Sequence, residues 1–106
     1  MRPAMQAGLA ALAIVLAGAG SASAETIKVT IANIAFQPAS ISAHVGDTIE
    51  WTNNDIVGHT ATARDKSFDF MMLPKKSARF TVKKAGEFDY YCKLHPNMTG
   101  HISVKP

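Results

Sequence analysis

The sequence contains a single cysteine, Cys92, and so lacks any pair that could form an intrachain disulfide. Charged residues make up only 18% of the chain, and the formal net charge of +3 is too small to indicate a nucleic-acid partner. Internal repeats, low-complexity stretches and helical periodicity are missing from residues 25–106. These absences argue against a disulfide-stabilised scaffold, a repeat protein and a mainly helical domain.

The beginning of the chain has the composition of a secretory signal peptide. It starts with Met-Arg, continues with an apolar run over residues 7–19, and reaches an Ala-Ser-Ala cleavage signal at residues 22–24. The run is shorter than the ~20 residues that a membrane-spanning helix needs, which disfavours a retained anchor. We therefore predict cleavage of residues 1–24, a mature chain that begins near Glu25, and a periplasmic location without membrane attachment.

Residues 25–106 then form one predicted domain, because no change of composition marks a linker or a second unit. A chain of this length gains only marginal stability from burial alone, so a bound metal would help to stabilise it. A lone thiol in an oxidising compartment is also unusual, since exported proteins generally pair their cysteines. Metal ligation by Cys92 would account for both features.

Short runs in which apolar and polar residues alternate with period two predict β-strands along the domain. In the first run, Ile27, Val29 and Ile31 lie on one side of the strand and the intervening polar residues on the other. Further runs are separated by turn residues and cover residues 41–45, 48–52, 59–63, 78–82, 87–92 and 100–104. Short strands at regular spacing predict an all-β single domain, a Greek-key β-sandwich or barrel. The segment 64–76 carries no clear pattern.

The most informative motif is Cys-Lys-Leu-His-Pro-Asn-Met at residues 92–98, which places a thiolate, an imidazole and a thioether at three-residue steps. A second imidazole, that of His59, begins one of the predicted strands. Two imidazoles and one thiolate with a weak axial thioether are the ligand combination that tunes copper for one-electron transfer. The pattern therefore predicts a copper site formed by His59, Cys92, His95 and Met98.

The predicted fold explains how these side chains could meet. Phe88, Tyr90 and Cys92 share one face of a strand because strand side chains alternate, so the thiol should continue a row of core aromatics. The imidazole and the thioether of the motif follow in the short loop before the last strand, where steps of three can turn side chains toward one point. His59 then has to arrive from a separate strand at the same end of the domain.

The chain resembles the cupredoxins, the small blue-copper proteins, over nearly the whole of the predicted domain. Residues 45–59 follow the family order of a Gly-Asp turn, a Trp-containing strand, an Asn/Asp loop and the first ligand, and residues 86–104 match its second half. The C-x-x-H-x-x-M spacing is similar to that of the amicyanins, whereas plastocyanins have a longer loop. The resemblance implies one copper ion with Met98 as a long axial ligand and a near-trigonal plane of His59, Cys92 and His95.

The resemblance also implies an electron carrier rather than an enzyme. The copper ion would cycle between Cu(II) and Cu(I) and pass single electrons between redox partner proteins. Such partners would dock near His95, which is expected to reach the surface within an apolar patch that includes Leu94 and Pro96. A modest preference for an acidic partner is expected from Lys75, Lys76 and Lys93. A shuttle of this kind is expected to be a monomer, and its Thr60 stands where the family typically has Asn.

Other interpretations of the same residues stay open from the sequence. A periplasmic copper carrier or storage protein would have the same ligands but would exchange the metal readily. A hydrolase with Cys92 as nucleophile and a nearby histidine as base would have little room for a substrate cleft and no use for the thioether. His44 and His101 are predicted on the solvated side of their strands, and Met71 and Met72 are predicted to serve packing.

Overall fold

The computed structural model describes residues 23–106, so the predicted signal peptide lies outside the described residues except for its last two. This part of the chain holds nine β-strands and no helix, and accordingly no helix able to cross a membrane. The strands are β1 (Thr26–Ala32), β2 (Ala35–Gln37), β3 (Ser40–His44), β4 (Thr48–Asn53), β5 (His59–Ala63), β6 (Asp69–Met72), β7 (Ser77–Thr81), β8 (Gly86–Tyr91) and β9 (Thr99–Lys105).

The strands form two mixed sheets. The first sheet has the order β2-β1-β4-β7, in which β1 and β4 are parallel. Its edge strands are antiparallel to their neighbours, β2 to β1 and β7 to β4. The second sheet has the order β3-β9-β8-β5-β6, in which β3 and β9 are parallel and the remaining pairs are antiparallel. This architecture confirms the predicted all-β single domain.

Two of the strands did not follow from the alternation of residues. β2 is only three residues long and pairs with the end of β1. β6 lies in the segment for which the sequence shows no clear pattern, and it pairs antiparallel with β5 so that Met72 stands opposite His59. Met72 is buried in the core, whereas Met71 is 57% exposed. The prediction that both methionines serve packing is therefore wrong for Met71, because neighbours in a strand face opposite sides.

The centre of the core is aromatic and lies between the two sheets. Trp51 and Tyr90 are fully buried, and the Trp51 indole nitrogen donates a hydrogen bond to the Tyr90 hydroxyl at 3.2 Å. Their rings meet edge to face with centroids 5.6 Å apart, and the Phe36 ring packs on Tyr90 at 4.6 Å. Such pairs fix ring positions in addition to burying apolar area. Cys92, two residues after Tyr90 and equally buried, therefore extends from a rigid base.

Candidate metal centre

Three donor side chains meet at one end of the sandwich. His59 is the first residue of β5, Cys92 directly follows β8, and His95 lies in the loop before β9. Cys92 Sγ is 3.7 Å from His59 Nδ1 and 3.8 Å from His95 Nδ1, and the three donor atoms lie within 4.8 Å of one another. His59 and Cys92 are fully buried, whereas His95 is partly exposed. The structure therefore brings together three of the four side chains predicted from the sequence.

The loop between β8 and β9 explains the three-residue steps of the motif. The His95 amide donates to the Cys92 carbonyl at 3.3 Å, and the Met98 amide donates to the His95 carbonyl at 2.8 Å. Each step is thus one tight turn. The Cys92 amide in turn donates to the Met98 carbonyl at 3.0 Å, which closes the loop on itself. Met98, the fourth predicted ligand, is buried at the end of this loop.

Asp55 determines which nitrogen of His59 faces the sulfur. Asp55 Oδ2 lies 2.8 Å from His59 Nε2, which leaves Nδ1 directed toward Cys92. Although burial acts in the opposite direction, hydrogen bonds from the Ile34 amide, the His59 ring and the Asn33 amide lower the pKa of the Asp55 carboxyl. An ionised carboxylate on the outer nitrogen orients the ring and makes the inner nitrogen a better metal ligand.

The Cys92 sulfur accepts a hydrogen bond from the backbone of the neighbouring strand. The Thr60 amide donates to Cys92 Sγ at 3.3 Å, and the Thr60 hydroxyl accepts the Lys93 amide at 2.8 Å. Thr60 thus connects the segment that carries His59 with the segment that carries Cys92. Hydrogen bonds around a ligating sulfur tune the potential of a metal, so this contact would bear on the potential of a metal bound to Cys92.

Sequence reasoning did not identify Asp55 or Asp69 as residues of this region. Asp55 precedes His59 by four residues, and a carboxylate so close to a predicted histidine ligand is a signal that could have been used. Asp69 is hydrogen-bonded to the Thr62 hydroxyl at 2.8 Å. No local pattern points to this contact, because it depends on the register of β6 against β5, in which Asp69 stands opposite Thr62.

Exposed apolar side chains lie beside His95, and we call them the apolar collar. The collar comprises Ile34, Leu94 and Pro96, which are exposed and line the same cavity as His95. A shallow cavity of about 380 Å³, lined by Ile34 and residues 94–98, opens beside the His95 ring. The nearby Lys93 ammonium lies 2.8 Å from Asp69 Oδ2. Part of the positive charge predicted for this surface is therefore offset within the protein.

The donor set fits copper. Thiolate and thioether are soft ligands that favour Cu(I), and imidazole suits Cu(II) as well. In the described part of the chain, His59, Cys92 and His95 are the one group of His, Cys, Asp or Glu donors close enough to share an ion. Every buried side-chain nitrogen and oxygen in that part has a hydrogen-bond partner, so polar atoms left without partners do not indicate a second site. The three residues form a potential copper site.

Residues 6–104 match the cupredoxin-like domain. The chain is 26% identical over 88 residues to an amicyanin of Paracoccus versutus, which covers 77% of this chain and 67% of that protein. It is 30% identical over 108 residues to a plastocyanin of Nostoc punctiforme, which covers 80% of this chain and 78% of that protein. The structure matches an amicyanin variant in its reduced state with a TM-score of 0.67 and 28% identity, over 76% of this chain and 82% of that one. The chain therefore belongs to the cupredoxin-like family.

Proposed function

We propose that this protein is a blue-copper electron carrier whose single copper ion is held by His59, Cys92, His95 and Met98. The observation that carries the proposal is the convergence of two imidazole Nδ1 atoms on the Cys92 sulfur, at 3.7 and 3.8 Å. Similarity to proteins named amicyanin and plastocyanin supports the same class of function. When bound, copper would supply a one-electron Cu(II)/Cu(I) couple, and no bond in a substrate would be made or broken.

The chain would contribute a fixed geometry. His59 and Cys92 extend from neighbouring strands of one sheet and are fully buried. The two tight turns between Cys92 and Met98 hold the His95 ring and the thioether in place relative to the thiolate. A donor set that cannot rearrange keeps both oxidation states in nearly one geometry, which lowers the reorganisation that electron transfer requires. Met98, as the weak axial ligand, would adjust the potential.

Electrons would enter and leave through His95. Of the three converging donors, it is the one with exposed surface, and the apolar collar lies beside it. Exposed apolar patches of this kind mark protein interaction sites. We therefore propose that redox proteins dock on the collar, with Leu94 and Pro96 next to the imidazole, and that the carrier is a monomer between encounters.

Fewer lysines are available to an acidic partner in this structure than the sequence predicts. Lys93 is paired with Asp69, so its charge is offset before any partner arrives. Among the ion pairs found in residues 23–106, none involves Lys75 or Lys76. The Lys75 amide donates to the Asn53 carbonyl at 2.8 Å, and the Asn53 side chain donates to the Met72 carbonyl. Because Met72 stands opposite His59, Lys75 lies at the same end of the sandwich as the candidate site. We therefore propose that recognition of an acidic surface rests on Lys75 and Lys76.

The test is the visible absorption spectrum of the protein after addition of one equivalent of Cu(II). We expect an intense blue thiolate-to-copper band that ascorbate bleaches and ferricyanide restores. The Cys92→Ser variant should lose both the band and electron transfer. The control variant His44→Gln changes an exposed histidine outside the site and should keep both. A colourless wild-type product, or a band that survives Cys92→Ser, would refute the proposal.

A copper carrier without an electron-transfer role would use the same ligands and is distinguished by metal exchange. Because His59 and Cys92 are fully buried, we expect copper to leave slowly when a strong chelator is added. Rapid and quantitative loss of copper would favour the carrier. The proposed location of the protein is the periplasm, in keeping with the signal peptide predicted over residues 1–24.

A further inference from the structure

A closed ring of hydrogen bonds lies beside Cys92, and we call it the Thr60 network; its members are Thr60, Thr62, Asp69 and Lys93. The Thr60 and Thr62 hydroxyl oxygens are 2.9 Å apart, and the Thr62 hydroxyl donates to Asp69 Oδ1 at 2.8 Å. The Lys93 ammonium donates to Asp69 Oδ2 at 2.8 Å, and the Lys93 amide donates to the Thr60 hydroxyl at 2.8 Å. The ring therefore begins and ends at Thr60, the residue whose amide donates to the Cys92 sulfur.

The Asp69 carboxylate sets the direction of the hydrogen bonds between the two threonines. A hydroxyl has one proton to donate, and an ionised carboxylate can only accept. Since Thr62 gives its proton to Asp69, the Thr60 hydroxyl must donate to Thr62, and its oxygen is left to accept the Lys93 amide. The Lys93 ammonium and, after it, the Thr62 hydroxyl lower the pKa of the Asp69 carboxyl, which keeps it ionised.

The Thr60 network continues a connection that the β-ladder leaves unfinished. β5 and β8 pair through two residues of each strand, 62–63 with 90–91, and the ladder stops before it reaches the metal ligands. Beyond that point, the two segments are joined by the bond from the Lys93 amide to the Thr60 hydroxyl and by the 3.3 Å bond from the Thr60 amide to Cys92 Sγ. Hydrogen bonds of the Thr60 network thus replace the backbone hydrogen bonds of the ladder next to the Cys92 thiolate.

We propose that Asp69 is a positioning residue for the Cys92 thiolate and that, through the Thr60 network, it raises the reduction potential of the copper site. The inference rests on the proposed function, because a potential requires bound copper. A thiolate that accepts an amide hydrogen bond donates less electron density to the metal, and this favours Cu(I). Thr60 and Thr62 are only 3% and 7% exposed, so water does not replace a hydrogen bond lost between them.

The first test needs no metal and measures hydrogen exchange of the Lys93 amide by NMR. Thr62→Val removes the hydroxyl while keeping the shape of the side chain. The Thr60 hydroxyl then loses its acceptor, and its oxygen is no longer fixed in position to accept the Lys93 amide. We therefore expect the Lys93 amide to exchange about fivefold faster than in the wild-type protein. Thr62→Ser keeps the hydroxyl and should restore the wild-type rate.

The role of Asp69 is tested in the same measurement by a pair of variants that remove equal charges. Asp69→Ala should accelerate Lys93 exchange as Thr62→Val does, because the network loses the group that orients it. Glu87→Ala removes a carboxylate from β8, another strand of the same sheet, and should leave the rate unchanged. Equal acceleration in both variants would mean that charge, and not the hydrogen-bonded ring, controls the amide, and would overturn the proposal.

The second test measures the reduction potential and the thiolate-to-copper band in the copper-loaded protein. Thr62→Val is the informative variant because it leaves the net charge unchanged. We expect a lower potential and a band shifted to lower energy, and Thr62→Ser should restore both. If the wild-type protein has the band and Thr62→Val has the same band and the same potential, this inference is refuted and the proposed function is not. A wild-type protein without the band would refute the proposed function as well.

Discussion

Asp55 Oδ2 lies 2.8 Å from His59 Nε2, and the same carboxylate holds a strained turn. Asn33 and Ile34, which connect β1 to β2, have φ angles of 54° and 55°. A β-branched residue such as Ile34 adopts this conformation only where its surroundings impose it. The amides of both residues donate to the Asp55 carboxylate, at 2.7 and 2.9 Å. Because Ile34 belongs to the apolar collar, one carboxylate connects the proposed docking surface with a proposed metal ligand.

We predict that Asp55→Ala lowers both the stability of the fold and its affinity for copper. Loss of the carboxylate leaves the turn amides and His59 Nε2 without their acceptor, which should cost about 1–2 kcal/mol in the free energy of unfolding. The freed imidazole should reduce copper affinity by about tenfold. Denaturant unfolding and competition with a chelator measure the two effects. Asp65→Ala, which removes an exposed carboxylate hydrogen-bonded to the nearby Ser67, serves as control; equal behaviour of the two variants would contradict the prediction.

We predict that Gly100→Ala destabilises the core. A Cβ atom on Gly100 would overlap Tyr90 Cζ and would lie 2.6 Å from the Tyr90 hydroxyl oxygen. The Tyr90 ring is fully buried and hydrogen-bonded to Trp51, so it cannot move aside without loss of packing. We expect a loss of about 2 kcal/mol in the free energy of unfolding, measured in denaturant. Gly58→Ala should cost less, because its Cβ would meet the flexible end of Met71 at 3.2 Å. If Gly100→Ala is as stable as the wild-type protein, the Tyr90 ring moves aside without cost and the prediction is contradicted.

We predict that stability falls as pH rises through the titration of His101. Its Nδ1 lies 2.7 Å from Asp89 and its Nε2 lies 2.7 Å from Glu87, and these hydrogen bonds raise the pKa of His101 above its ordinary value of 6.5. A raised pKa in the folded state means that the stabilisation is complete below pH 6.5 and is lost as pH rises through the folded value. Denaturant midpoints measured across this range should decline in the wild-type protein. The decline should be absent in His101→Gln and retained in His44→Gln.

We predict that the exported protein begins at Glu25 and that Asp47 stabilises this new terminus. The Glu25 backbone nitrogen donates to Asp47 Oδ1 at 2.9 Å, and cleavage after Ala24 would convert this contact into an ion pair with the α-amino group. The Glu25 amide and, after it, the His44 amide lower the pKa of Asp47, so its contribution is present above pH 3.8 and is lost as pH falls through the folded value. Mass spectrometry of the exported protein identifies the terminus. Asp47→Asn should weaken the dependence of stability on acid pH, and an unchanged acid transition would contradict the assignment.

Local pattern was sufficient for much of the architecture and for the candidate site. Alternation of apolar and polar residues predicted seven strands, because successive side chains of a strand point to opposite faces, one toward the core and one toward water. The spacing of Cys92, His95 and Met98 predicted that these residues turn toward one point, because each step of three residues corresponds to one hydrogen-bonded turn. His59 was recognised from the chemistry of the whole donor set and from the family resemblance.

Tertiary structure alone decided the contacts that position those donors. The short strand β2 and the strand β6 carry too few alternating residues to be recognised, and they form because β1 and β5 offer them backbone partners. The Thr60 amide meets Cys92 across 32 residues of sequence, and Asp69 neutralises Lys93 across 24. Contacts of this kind depend on strand register and on which side chains two sheets bring to the same end. The sequence therefore determined which residues could bind a metal, whereas the packing of the sheets determined how those residues are held.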